Sequence, residues 1–119
     1  MPKTTPPEAV FTSAAELFAV LSTPLRLQII SALCAGEKNV TQLREEVETT
    51  QPNMSQHLAM LYRAGILARR RDGTQIYYRI QSERAAMLCR AVCTQMAIEL
   101  EAQTNISPAD RLLPAGARG

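Results

Sequence analysis

Cys34, Cys89 and Cys93 are the most reactive side chains in this 119-residue sequence. Cys89 and Cys93 stand four residues apart, so on a helix both thiols project from nearly one face, within reach of a common soft ion. Three thiolates with no histidine or carboxylate beside them suit a pyramidal trivalent metalloid, arsenite or antimonite, better than tetrahedral zinc. The same sulfurs admit a second chemistry. A dithiol could bridge Cys34 to Cys89 or to Cys93, as a disulfide or polysulfide, on meeting reactive sulfur or an oxidant. This requires at least one thiol that is accessible and has a lowered pKa. A Cys89–Cys93 disulfide within one regular helix fits the bond's geometry poorly. The third reading is plain packing, since cysteine on an apolar stripe buries readily. The sole histidine, His57, sits in a different segment and is a poor ligand candidate.

A second group of residues has the chemistry of groove recognition. Asn53, Ser55, Gln56 and His57 offer an outer face of short polar side chains, and Met54, Leu58 and Leu61 offer the packed inner face behind it. Gln56 and Asn53 can donate and accept together across an adenine edge, which makes them the best base readers. Ser55 and the free amides of the helix start suit phosphate. His57 divides between a groove or phosphate contact and a wedge between this helix and its neighbour. By itself such a face is also what any solvated helix shows. The arginines change the weighting: Arg69, Arg70 and Arg71 run together, with Arg63 and Arg79 close by. Thr74 and Gln75 lie across a tight turn, placed to grip phosphate or straddle a minor groove. On a two-residue period Arg70 faces away from Arg69 and Arg71, so not all three can touch one surface, and Asp72 or Glu83 is a candidate partner for one of them.

The elements that position these residues follow from hydrophobic period and punctuation. Val10, Phe11, Ala14, Leu17, Phe18 and Leu21 recur at helical spacing. Thr23-Pro24 caps and starts a second helix, whose buried face is Leu25, Ile29, Ala32 and Leu33, ending near Gly36. A short third helix opens at Asn39-Val40-Thr41, with Thr41 as its cap and Leu43 and Val47 inward. Thr49-Thr50-Gln51 is the turn into a fourth helix, Pro52 to about Ala64, which Gly65 ends. The period then becomes two over Ile66–Arg71, Asp72-Gly73 marks a hairpin, and Gln75–Ile80 returns as a strand. A last helix from Ser82 to about Ala102 carries the stripe Ala85, Leu88, Cys89, Val92, Cys93, Met96 and Leu100. That stripe is longer than the ribbon can cover, so the first helix and a second copy of the chain are the expected partners. The resulting expectation is a mainly α winged helix-turn-helix of five helices with a two-stranded β wing, dimerising through the first and last helices. Residues 8–103 form the domain, between a flexible lead at 1–7 and a tail at 104–119.

Composition sets limits. Apolar residues make up 46%, and 13 basic against 11 acidic residues give +2, so net charge alone does not identify a partner. Eleven of the thirteen basic residues are arginine, whose rigid fork suits phosphate and base edges. No apolar run is long enough to span a membrane. Three cysteines are too few and too odd for a disulfide framework, which fits a reducing cytoplasm. No Gly-rich nucleotide loop, nucleophile with adjacent base or paired carboxylates suggests an enzyme.

The blocks LSTPLRLQIISAL (21–33), QPNMSQHLAMLYRAGILARRRDG (51–73) and TQIYYRI (74–80), in that order, resemble the ArsR/SmtB family of metal- and stress-responsive repressors over about residues 10–100. Ser55-Gln56-His57-Leu58 falls on that family's usual recognition-helix core. The resemblance implies a homodimer that binds an inverted-repeat operator in duplex DNA, needs no cofactor to do so, and leaves when an inducer binds. It also raises the metalloid reading of Cys34, Cys89 and Cys93, beside sensing of persulfides or oxidants and a DNA-binding scaffold with no inducer. The family's Cys-Val-Cys segment is missing, since Gln42 to Ser55 holds no cysteine, and so is its His- and acid-rich zinc arrangement in the terminal helix. Zinc, cobalt and nickel sensing are therefore not expected.

Overall fold

Thr23 breaks the apolar rhythm of the amino-terminal segment and starts the next helix. In the computed structural model, which describes residues 7–104, its hydroxyl accepts a hydrogen bond from the Arg26 amide at 3.2 Å. Pro24 occupies the start of the helix, where a missing amide costs nothing. Helix α1 thus spans Pro7–Val20 and α2 spans Pro24–Leu33, with a bend of 92° between them. Among the described residues no single helix is long and apolar enough to cross a membrane; α1 and α2 reach that composition only together, across the bend.

The cap of α3 (Val40–Glu46) is Asn39 rather than Thr41. The Asn39 carboxamide accepts from the Gln42 amide at 2.8 Å, and the Gln42 side chain accepts from the Asn39 amide at 2.9 Å. This reciprocal box satisfies two otherwise orphaned donors, a gain that Thr41, already the second residue of the helix, could not supply. Asn39 also ends a strand, β1 (Lys38–Asn39), which the sequence reading missed because two residues carry no alternation. Helix α4 spans Gln51–Arg63, capped by Thr50, whose hydroxyl accepts from the Asn53 amide at 3.2 Å. Gly65, at φ +78°, takes the chain out of α4 through a left-handed conformation.

Strands β2 (Leu67–Asp72) and β3 (Gln75–Ile80) form the expected hairpin. Asp72 pairs with Gln75, so the two loop residues are Gly73 and Thr74, one position later than the Asp72-Gly73 signal suggested. Gly73 has φ +65°, the first-position glycine that lets a two-residue turn match the strands' twist. The sheet is three-stranded and antiparallel, in the order β1-β3-β2, with Lys38 opposite Tyr78 and Asn39 opposite Tyr77.

Helix α5 spans Glu83–Thr104, and the Ser82 hydroxyl accepts from the Ala85 amide at its start. The chain divides into two compact units inside this helix, one ending at Cys89 and one beginning at Arg90. In the first, α2, α3 and α4 pack on one another, α4 packs on β2 and α2 on β3. Its core holds Ile29, Ile30, Leu43, Met54, Leu58, Leu61 and Leu67, with Ala85, Ala86 and Cys89 from the start of α5. Ile30 is buried where Leu25 and Ala32 were expected, and those two are half-buried. No residue of α1 is buried: Val10, Phe11 and Phe18 all face solvent. In the second unit Val92, Met96 and Leu100 are exposed and Cys93 is half-buried. The lead expected at 1–7 and the tail expected at 104–119 lie outside the described residues, except Pro7 and Thr104, which are both helical.

Candidate nucleic-acid interface

Met54, Leu58 and Leu61 are fully buried and fix the rotation of α4 about its axis. That rotation leaves Asn53, Ser55 and Gln56 exposed on the opposite side. The Gln56 carboxamide makes no hydrogen bond among the described residues, so its donor and acceptor are both available to a base edge. Asn53 is partly committed, because its Nδ2 donates to the Thr49 hydroxyl at 2.8 Å. Ser55 lies in the first turns of α4, close to the helix's unsatisfied amides.

His57 is half-buried. The Arg26 Nε donates to its Nδ1 at 3.2 Å, so the ring is neutral with its proton on Nε2. Burial, and then the Arg26 charge, hold its pKa below the ordinary 6.5. Arg26 also donates to the Val20 carbonyl at 3.0 Å. One guanidinium therefore links the end of α1, the start of α2 and the reading helix, and it commits the His57 Nδ1 to a neighbouring helix. Nothing in the sequence singled out Arg26. Its place one turn after a Thr-Pro cap was the only available cue.

The three arginines of β2 do not act alike. Arg70 hydrogen-bonds both carboxylate oxygens of Glu37 through its Nε, at 3.0 and 3.1 Å, and pairs with the same carboxylate through Nη2. It also lies 3.8 Å from Asp72, one of the two partners expected for a member of the triplet; Glu37 stands where Glu83 was the other candidate. Residues 33 apart on separate elements leave no local signal for such a pair. The Arg70 bond holds the Glu37 carboxyl below its usual range. Arg69 lies over the Tyr62 ring, 3.9 Å from its centre, with the Tyr78 hydroxyl beside it. Arg71, Thr74 and Gln75 are exposed around the turn. Arg63 is exposed in the last turn of α4, where it complements the helix dipole. Ten residues separate it from Asn53, roughly 15 Å along the helix.

The sulfurs are placed differently from the reading residues. Cys89 is buried, and its thiol donates to the Leu27 carbonyl at 3.6 Å. Cys34 caps the end of α2 and is half-buried. Among the described residues no three His, Cys, Asp or Glu side chains gather to hold a metal ion.

A helix-turn-helix with a polar outer face, followed by a hairpin bearing arginines, defines a winged-helix DNA-binding protein. The sequence profile described as "Bacterial regulatory protein, arsR family" matches residues 23–69. The biofilm growth-associated repressor of Xylella fastidiosa (strain Temecula1) is 39% identical over 85 residues, covering 68% of this chain and 75% of that protein. The crystal structure of the transcriptional repressor BigR from Xylella fastidiosa superposes with a TM-score of 0.69 at 37% identity, over 73% of this chain and 89% of that one. The solution structure of the homodimeric winged helix-turn-helix domain of Mb0332 from Mycobacterium bovis gives a TM-score of 0.67 at 29% identity, over 86% and 95%. This chain belongs to the arsR family of bacterial regulatory proteins. It is a transcriptional regulator, not an enzyme.

Proposed function

We propose that the chain is a homodimeric repressor that binds an inverted-repeat operator and is released by a change at its cysteines. The observation that carries operator binding is the division of α4. Met54, Leu58 and Leu61 are locked in the core, while Asn53, Ser55 and Gln56 face outward on the same body as an arginine-bearing hairpin. Two such helices, roughly 34–36 Å apart, would enter successive major grooves on one side of a duplex. The exposed apolar residues of α1 and of the second unit support a dimer, since monomers rarely leave such faces open to water. A DNA ligand of this kind implies action in the cytoplasm.

For the inducer, a trivalent metalloid such as arsenite or antimonite at Cys34, Cys89 and Cys93 is the first reading and a two-thiol switch the second. The switch is supported by the Cys89 thiol meeting the Leu27 carbonyl of α2, the helix that Cys34 ends. Two thiols that join as a disulfide give up two protons and two electrons, which a persulfide or peroxide accepts. Cys34 lies seven residues beyond Leu27, whose carbonyl the Cys89 thiol meets, or roughly 10 Å along α2. A Cys34–Cys89 bridge would tie the start of α5 to the end of α2, which gives the chemistry a mechanical output. Cys93 is the alternative second thiol.

Operator affinity measured by fluorescence anisotropy, with and without a persulfide donor, arsenite or antimonite, tests both parts. Release by arsenite or antimonite, abolished in Cys34→Ser, is the expected result. Release by the persulfide donor alone would favour the two-thiol switch, and unchanged affinity throughout would leave a regulator with no thiol inducer.

A further inference from the structure

Consecutive residues of a strand point to opposite faces, so three arginines in a row cannot serve one surface. The two faces of β2 are used for different anchors. On one, Arg69 stacks on Tyr62 in the last turn of α4. Tyr62 is nine residues from Asn53, roughly 13 Å along the helix, so this anchor sits at the far end from the reading residues. On the other face, Arg70 grips Glu37 and lies 4.8 Å from the centre of the Tyr77 ring. Glu37 immediately precedes β1, whose last residue, Asn39, caps α3. One arginine therefore ties the hairpin to the exit of the helix-turn-helix and the next ties it to the entrance. Arg71 lies opposite Ile76 beside the turn, and it makes no hydrogen bond or ion pair among the described residues.

We propose that Arg69 and Arg70 are positioning residues that brace the wing against both ends of the reading unit, leaving Arg71 as the single member of the triplet that engages DNA. This rests on the operator-binding reading above. It removes Arg69 from the contacts the sequence suggested and gives Glu37 a role in DNA binding without touching DNA. The Arg70 side chain is 47% exposed and that of Glu37 32%, so the brace is partly screened by salt and its effect on affinity is modest.

The test is a series of operator titrations of the full chain at several salt concentrations. Each phosphate contact contributes about 0.9 to the slope of log affinity against log salt, so Arg71→Ala, lost twice per dimer, lowers the slope by about 1.8. Glu37→Gln and Tyr62→Leu weaken binding about three- to tenfold, with the slope altered far less than in Arg71→Ala. The charge swap E37R/R70E restores the lost affinity to within about twofold, because the pair is remade with its sign reversed. A slope that falls as much in Arg70→Ala as in Arg71→Ala, together with no rescue by the swap, would overturn the assignment. Hydrogen exchange of the β2 and β3 amides supplies a readout independent of DNA. It should quicken in Glu37→Gln and slow again in the swap, and unchanged exchange would count against the brace. A wild-type protein that ignored duplex DNA in low salt would sink operator binding while leaving the exchange result to decide the brace.

Discussion

If α4 reads bases as proposed, Gln56 would carry the most sequence information, because its whole carboxamide is available while that of Asn53 is partly held by Thr49. Gln56→Ala should reduce discrimination between operator and scrambled duplex by roughly 1–3 kcal/mol, with non-specific binding and its salt slope unchanged. Competition titrations read this directly. His57 gives a pH prediction. Unfolded, the ring titrates near 6.5; folded, burial and then Arg26 hold its pKa lower. Between those values the unfolded chain binds more protons, so stability falls as pH drops through the window and is regained above it. Melting temperature should therefore decline as pH falls through and below 6.5, and His57→Gln should flatten the decline. The polar types at 53, 55 and 56 were legible as an exposed face because their apolar neighbours at 54, 58 and 61 set the helical phase. Asp72 was legible as an arginine's partner from its place on the same strand, but Arg26 beside His57, Tyr62 beside Arg69 and Glu37 beside Arg70 were not. Each of these comes from another element, and nothing along one strand or helix encodes which side chain the fold brings against it.

At the scale of elements, capping and core explain most of the geometry. Leu58 is fully buried at the centre of α4's inner face, and Leu58→Ala should cost about 2–5 kcal/mol in denaturant unfolding. Asn39→Ala should cost about 1 kcal/mol through the lost cap, and it should also weaken operator binding, since the same residue ends β1. The order of helices, the hairpin and the capping role of Thr23 followed from punctuation by Thr-Pro, Gly65 and Gly73. Strand β1 did not, because its two residues pair only with a partner about 40 positions away, a separation no local pattern records. The choice between Thr41 and Asn39 as cap turned on the same missing fact: the strand fixes where extended backbone ends.

For the whole molecule, the exposed apolar residues dominate. Phe11 and Phe18 on α1 are 70% and 56% exposed, and Met96 and Leu100 in the second unit are 50% and 60% exposed. If a second copy covers them, melting temperature rises with protein concentration. Met96→Glu then shifts sedimentation toward the monomer and lowers operator affinity together with it. An unchanged sedimentation coefficient in that variant would exclude this face from the dimer. The sequence had already marked both helices as having more apolar surface than their neighbours could cover. What lies opposite them is a property of the assembly, which a single chain's pattern constrains only by demanding that something be there.

Asn39 pairs with Tyr77 of the hairpin through its backbone and holds the start of α3 through its side chain. With that stitch in place, the hairpin and the start of α3 move as one piece. If the chain works as proposed, departure from DNA would be quantised by protomer: a half-site would be either occupied or vacated, and a graded dose of inducer would change the mixture of these two conditions rather than loosen every grip a little.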